Sequence, residues 1–241
     1  MRLSPSRRLS VAATAAVGVA ASLLVSAAPA TAAPRVVVGP GSEIDIVQKE
    51  TAEGIDVSVC TLGVLALTPD GRRVGVTAGH CGRPGQTVAV PVPGQDRTIA
   101  SVGKIEKSSN PKITADGRTA DPNQPDWGTI AFSAGVPLVN AQGKVRPTKV
   151  GRAAVGDQVC RQGRTTGWQC GKVADVAGNR VLVTMKGDHG DSGGPLVRLS
   201  DGAALGITSG GLDLSRESGT QSEFFDLGFV LAQAGGLRLA V

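Results

Sequence analysis

The chain has 241 residues, enough for one large or two small hydrophobic cores, and carries 34 glycines and 14 prolines but only 2% aromatic residues. This balance favours short strands and tight turns over long helices. The net charge is +5, but three of the 25 basic residues lie near the N-terminus, which leaves 22 against 20 acidic residues. No clustered basic surface remains, so we expect no nucleic-acid partner.

Residues 1–32 have the features of an export signal. Arg7 and Arg8 precede an apolar, alanine-rich run over residues 9–28, and Ala30-Thr31-Ala32 provides a small-residue cleavage site. The alternative is a membrane anchor, since the run is about long enough to span a bilayer. Serine and threonine interrupt it, however, so we favour cleavage. We expect a secreted, extracellular protein that is not bound to a membrane after the signal is cleaved. Residues 33–59 then form an N-terminal segment or a short pro-segment.

Short apolar or alternating segments follow, separated by turn residues such as Pro69-Asp70-Gly71. They predict strands at residues 59–67, 74–77, 87–90, 98–102, 155–160, 172–176, 181–185, 195–199 and 204–208. Strands at this spacing are typical of an antiparallel barrel or sandwich. The polar, proline-containing stretch 110–126 suggests a boundary, with one β-barrel over residues 60–125 and a second over 126–241. Only residues 229–239 have a helical pattern, which predicts a short C-terminal helix.

Four cysteines in an exported chain indicate disulfides. Four cysteines allow three pairings, and we favour the two local ones, Cys60 with Cys81 and Cys160 with Cys170. A zinc site is the alternative, but the chain has only two histidines, His80 and His189, and no Cys-x-x-Cys spacing. We therefore expect neither a metal nor another cofactor.

Three segments carry residues suited to nucleophilic catalysis: Thr77-Ala78-Gly79-His80-Cys81, Pro125-Asp126-Trp127-Gly128 and Gly190-Asp191-Ser192-Gly193-Gly194-Pro195. A serine hydroxyl needs a base to take its proton, and His80 is the candidate base for Ser192. Asp126 would accept the Nδ1–H of His80. We prefer it to Asp116 and Asp121 because an apolar run directly follows it and can bury its carboxylate.

Glycines around Ser192 allow a sharp turn and the close approach of a substrate carbonyl. The amides of Gly190 and Ser192 can then point at one position and form an oxyanion hole.

These strings, in the order His, Asp, Ser, resemble the chymotrypsin superfamily of serine peptidases. The stretch from Val159 to Gly171 and the string Ala204-Leu205-Gly206-Ile207-Thr208-Ser209-Gly210-Gly211 are similar to the bacterial branch that includes the streptogrisins and α-lytic protease. The resemblance covers the chain from about Cys60 onward. It implies an all-β fold of two packed six-stranded antiparallel barrels with the active site between them, and it implies the same two local disulfides.

The resemblance also implies the roles of individual residues. Ser192, His80 and Asp126 form the triad, and Arg161 pairs with Asp191. The backbone of Ser209, Gly210 and Gly211 binds the substrate as an added strand. Gly187 and Thr208 are small residues of the specificity pocket, which favours a large apolar P1 side chain.

Two departures from the bacterial pattern bear on specificity and folding. Lys186 stands where relatives have a cysteine beside the pocket. Together with His189 it keeps an acidic P1 open as an alternative. Only 27 residues, 33–59, lie between the expected cleavage site and Cys60, whereas many relatives have a long pro-region.

The predicted function is that of a monomeric, bacterial, secreted serine endopeptidase that acts on polypeptides. The alternative is a catalytically idle relative that binds peptides or a partner. An esterase is disfavoured because its Gly-x-Ser-x-Gly elbow would normally precede the aspartate and histidine in the chain, whereas here His80 comes first and Asp191 directly precedes the serine.

Overall fold

The structure is a computed structural model that describes residues 36–112, 124–212 and 221–241. The predicted signal peptide lies outside these residues, as do Asp116 and Asp121. The described residues consist mainly of strands, with one short α-helix, and belong to one compact unit, Pro34–Val241. The predicted all-β fold is confirmed.

The first sheet contains eight strands in the order β15-β3-β4-β7-β6-β5-β1-β2, and every pairing is antiparallel. Its strands are β1 (Glu43–Thr51), β2 (Gly54–Thr61), β3 (Val64–Leu67), β4 (Arg73–Thr77), β5 (Thr87–Pro91), β6 (Ile99–Ser108), β7 (Gly128–Phe132) and β15 (Arg238–Leu239).

The second sheet contains a closed barrel. Its strands are β8 (Lys149–Val150), β9 (Gln158–Gly163), β10 (Gly167–Ala177), β11 (Arg180–Thr184), β12 (Pro195–Arg198), β13 (Ala203–Leu212) and β14 (Gln221–Asp226). β12 pairs with both β9 and β13, so six antiparallel strands close on themselves. The short β8 adds to β13 in parallel.

Two boundaries differ from the sequence-based expectation. The first sheet begins at Glu43 rather than at residue 60, because β1 pairs with both β2 and β5 and buries Ile44 and Ile46. It also includes β7, beyond the expected boundary at residue 126, and the C-terminal β15. The first sheet therefore has eight strands instead of the six that the resemblance implies.

The predicted C-terminal helix is present but displaced. Helix α1 spans Leu227–Gln233, and the side chain of Asp226 caps its N-terminus by accepting a hydrogen bond from the amide of Phe229 at 2.8 Å. It ends before Gly235 and Gly236, whose φ angles of 111° and 70° belong to the left-handed region. Over the described ranges, no helical segment has the length and hydropathy needed to cross a bilayer.

Three apolar clusters form the core. One fills the first sheet, one fills the second barrel, and the third combines residues of both sheets with helix α1. In this third cluster Val76 of β4 and Ile207 of β13 share one core with Val230 of the helix. The two sheets therefore pack on each other beside β4 and β13. His80 follows β4, and Ser209 lies on β13.

Candidate active site

His80 lies in a single turn of 3-10 helix, Gly79–Cys81, directly after the buried strand β4. Gly79 is required there, because a Cβ at this position would lie 2.5 Å from both the Ser109 hydroxyl and the carbonyl oxygen of Trp127. The close approach brings the backbone before His80 against the segment that follows Asp126. The sequence string around His80 therefore folds as a turn held to the Asp126 loop.

Asp126 is fully buried and binds His80 with both carboxylate oxygens. Oδ1 accepts a hydrogen bond from the His80 amide at 2.9 Å, and Oδ2 lies 2.7 Å from His80 Nδ1. Since a carboxylate only accepts, Nδ1 carries the proton and Nε2 keeps its lone pair. The structure thus pairs the predicted base with the predicted aspartate and leaves Nε2 able to take a proton.

A third group completes the environment of Asp126. The hydroxyl of Ser209 donates to Oδ2 at 2.6 Å, and its side chain is buried at a bulge in β13 between Thr208 and Gly210. From the sequence, Ser209 was expected to act only through its backbone in substrate binding, and its contact with Asp126 was not predicted. Nothing in the local pattern indicates it, because 83 residues separate Ser209 from Asp126.

The environment of His80 changes its basicity. Burial disfavours the imidazolium, but the negative charge of Asp126 and its hydrogen bond to the ring outweigh burial and raise the pKa of His80 above its usual value. Asp126 therefore stabilises the charge that His80 acquires when it accepts a proton.

We expect kcat/KM for peptide cleavage to fall as pH decreases through the raised pKa of His80, because the protonated imidazole cannot act as a base. The midpoint of this acidic limb should lie above about 6.5, the unperturbed histidine value. Asp126→Asn should move the midpoint to lower pH, since the stabilising charge is lost. A pH profile of kcat/KM for both proteins measures this, and an acidic limb at or below the unperturbed value in the wild type would contradict it.

Ser192 lies on the loop between β11 and β12 and is held against the histidine-bearing segment. Its carbonyl oxygen accepts a hydrogen bond from the Thr61 amide at 2.8 Å and lies 3.9 Å from Cys81 Sγ. A Cβ on the next residue, Gly193, would come within 3.0 Å of the Ala78 amide nitrogen. Among the described residues no direct hydrogen bond joins the His80 imidazole to the Ser192 hydroxyl. In serine hydrolases without substrate this bond is often long.

The two predicted disulfides, Cys60–Cys81 and Cys160–Cys170, are both formed. The first joins β2 to the turn that bears His80. Cys60, Cys81 and His80 lie within 4.8 Å of one another, but both sulfur atoms are bonded in the disulfide and are not available as thiolate ligands for a metal.

The predicted ion pair between Arg161 and Asp191 is present and fully buried. Arg161 Nη2 lies 2.9 Å from Asp191 Oδ2, and both side chains are at most 1% exposed. The amides of Thr165 and Thr166 donate to Oδ1 at 3.0 Å each, while that of Asp188 donates to Oδ2 at 2.9 Å. These bonds anchor the loop immediately before Ser192.

The amides around Ser192 divide into two sets. Those of Asp191, Gly193 and Gly194 donate to the carbonyls of Asp188, Thr208 and Asp191. Those of Gly190 and Ser192 donate to no group in the described part of the chain. Gly190 has a φ of 95°, which glycine adopts without strain. The two amides predicted to form the oxyanion hole are therefore the two that remain free to bind a substrate oxygen.

The predicted pocket residues lie around the same loop. Thr208 is buried, and its hydroxyl donates to the Gly194 carbonyl at 2.9 Å. A Cβ on Gly187 would lie 2.6 Å from Ser222 Oγ and 3.1 Å from Arg161 Nη1, so Gly187 lies beside polar groups. Lys186 and His189 are exposed, and the Lys186 carbonyl accepts from Arg161 at 2.8 Å.

The predicted substrate-binding glycines lie near the C-terminal end of β13. Gly210 and Gly211 pair with Glu223 and Ser222 of β14, so this end of the strand is placed in the sheet directly after Ser209.

A groove of about 650 Å³ lies on the first-sheet side of His80. It is lined in part by Gln48 of β1 and Ser58 of β2, and it holds the exposed cations Arg83 and Lys112. No acidic residue is among the described residues that line it.

No family model matches the chain, but individual proteins are similar to it. Streptogrisin-C of Streptomyces griseus is 32% identical over 197 residues, or 75% of this chain, and serine protease 2 of Streptomyces fradiae is 29% identical over 177 residues, or 67% of this chain. The chain spans 38% of the length of the first relative and 91% of the second.

A solved structure of Cellulomonas bogoriensis chymotrypsin is 28% identical, with a TM-score of 0.57 over 85% of this chain and 99% of that one. The sequence similarity and the barrel topology agree with each other. The chain belongs to the chymotrypsin-like superfamily of serine peptidases and is similar, within it, to the streptogrisins.

Proposed function

We propose that this protein is a serine endopeptidase that is secreted by a bacterium and acts as a monomer on polypeptides outside the cell. The observation that carries the proposal is the hydrogen bond between His80 and Asp126, together with the free amides of Gly190 and Ser192 on the loop between β11 and β12. A base, its orienting carboxylate and two unpaired donors are the parts that acyl transfer requires.

In the first half of the reaction, Ser192 Oγ attacks the carbonyl carbon of the scissile bond, and His80 Nε2 takes the proton from the hydroxyl. The imidazolium is stabilised by Asp126, which lies 2.7 Å from Nδ1. The negative charge that develops on the former carbonyl oxygen is bound by the amides of Gly190 and Ser192. Such a donor is worth about 3–4 kcal/mol in the transition state. When the C–N bond breaks, His80 returns the proton to the leaving amine.

In the second half, water replaces the amine. The water oxygen attacks the acyl-enzyme while His80 takes a proton from the water. His80 then returns a proton to Ser192 Oγ when the acyl bond breaks. The acyl part of the substrate pairs with the backbone of Ser209, Gly210 and Gly211 as an added strand. We place the leaving-group part towards the groove that contains Arg83.

The small residues Gly187 and Thr208 support a large apolar P1 side chain. Lys186, His189 and the Arg161 guanidinium beside Gly187 support an acidic P1 as the second candidate. A trypsin-like preference for basic P1 residues is disfavoured, because a pocket for a basic side chain would need a carboxylate and position 186 is a lysine.

Incubation with a peptide library, read by mass spectrometry, tests the proposal. We expect internal cleavage after Leu, Met or Phe, with a Ser192→Ala protein as the blank. Cleavage after Glu or Asp that is lost in Lys186→Met would instead select the acidic candidate. If the oxidised, folded protein cleaves no peptide, the endopeptidase proposal fails and the idle, peptide-binding alternative replaces it.

A further inference from the structure

The peptide unit that joins His189 to Gly190 contains one of the two candidate oxyanion-hole donors. Because a trans peptide is planar, its N–H and C=O point in opposite directions. In this unit the N–H belongs to Gly190 and the C=O belongs to His189. Whatever orients the His189 carbonyl therefore also orients the Gly190 amide.

The His189 carbonyl has a specific partner. The hydroxyl of Thr165, on the loop between β9 and β10, donates a hydrogen bond to it. Thr165 is itself held in place, since its amide donates to Asp191 Oδ1 at 3.0 Å. A Cβ on Gly190 would lie 2.5 Å from Thr165 Oγ1, so only glycine allows this approach.

We propose that Thr165 is a positioning residue that keeps the Gly190 N–H directed at the substrate oxygen. This inference rests on the proposed function. Glycine at position 190 gives the backbone wide freedom, and the 189–190 unit can rotate so that its carbonyl, instead of its N–H, faces the substrate. The hydroxyl of Thr165 holds the carbonyl on the opposite side and thereby disfavours the inactive orientation.

The neighbouring peptide unit is held in the same way from the other sheet. Thr61 of β2 donates from its hydroxyl to the Gly190 carbonyl at 2.8 Å and accepts from the Arg164 amide at 2.9 Å. Gly190 thus has a threonine hydroxyl on each adjacent peptide unit. Thr61 is buried between the sheets, whereas Thr165 is exposed, which makes Thr165 the side chain that can be changed without disturbing the core.

The test compares Thr165→Val, Thr165→Ser and wild type. Valine keeps the branched shape but removes the donor. We expect kcat to fall by about two- to tenfold, the net worth of one hydrogen bond, with KM nearly unchanged. Affinity for a peptide boronate, which forms a tetrahedral adduct, should fall by the same factor, and Thr165→Ser should restore both. The matched control is Thr148→Val, which removes a hydroxyl that donates to the Asp201 carbonyl at 2.9 Å in a loop outside the site.

A second readout does not depend on activity. The residual dipolar coupling of the Gly190 N–H in labelled protein reports the orientation of this bond. We expect it to change in Thr165→Val and not in Thr148→Val, with equal urea midpoints for all variants. An unchanged coupling in Thr165→Val overturns the inference. A loss of activity that is explained by a lower urea midpoint, and therefore by lost stability, also overturns it. If the wild type cleaves nothing, the proposed function fails, while the coupling still decides the role of Thr165.

Discussion

Replacement of Ser192 by alanine is expected to lower kcat for peptide hydrolysis by about 10⁶-fold, with the fold intact. In the proposed mechanism the Ser192 hydroxyl attacks the substrate while the amides of Gly190 and Ser192 bind the oxyanion, and alanine keeps both amides. His80→Ala should cost about as much, and the double variant should be no worse than either single variant, since the two side chains act as one unit. The oxyanion donors alone should leave a small residual rate.

The measurement needs purified protein in which the active fraction is known. A peptide phosphonate that reacts with nucleophilic serines should label wild type once, at Ser192, and should not label Ser192→Ala. His189→Ala controls for the loss of a nearby imidazole and should still be labelled at Ser192, because among the described residues no hydrogen bond joins the exposed His189 side chain to His80 or Asp126. Labelling at another serine, or a Ser192→Ala protein with more than a trace of activity, would refute the assignment of the nucleophile.

Asp191→Asn is expected to lower the free energy of unfolding by about 3–5 kcal/mol. Asparagine keeps the size of the side chain but removes the negative charge, which leaves the Arg161 guanidinium buried without a counter-charge. It also turns a donor towards the Asp188 amide and the Thr166 hydroxyl, both of which donate to Asp191 Oδ2. Urea denaturation at equilibrium measures the change.

Glu43→Gln is the matched control, since Glu43 also pairs with an arginine, Arg164, but its side chain is 49% exposed. The Glu43→Gln substitution should lower the free energy of unfolding by less than about 1 kcal/mol. The double variant Arg161→Met, Asp191→Asn should be more stable than the sum of the two single changes predicts, because neither charge is then buried alone. If Asp191→Asn is no more destabilising than Glu43→Gln, the buried pair does not hold this loop.

The candidate triad residues could be proposed from the sequence because each lies in a local string that constrains the backbone. The glycines around Ser192, the cysteine next to His80 and the apolar run after Asp126 all act within a few residues. The same holds for the two local disulfides, which the structure forms. Short strands between turn residues likewise predicted the all-β fold.

Features that depend on distant parts of the chain were not predictable in this way. The Ser209 hydroxyl and the Asp126 carboxylate meet only because the bulge within β13 lies against the loop before β7. β1 was missed because its second half is polar and exposed, and its pairing with β5 across the sheet gives no signal in the local sequence. Residues 59–67 were predicted as one strand but form two, because the chain changes its partner there: Thr61 pairs with β1, whereas Val64 pairs with β4.

The source of the charge that balances Asp191 has a consequence for control of the enzyme. Arg161 lies on β9 and Asp191 lies on the loop that leads into its neighbour β12, so the counter-charge comes from inside the same barrel. The loop before Ser192 is therefore held by a charge from its own barrel, and the charge of Asp191 is balanced without a new terminal amine. For the proposed peptidase, location, the timing of export or a separate inhibitor would then restrain activity in place of a cut that creates such an amine.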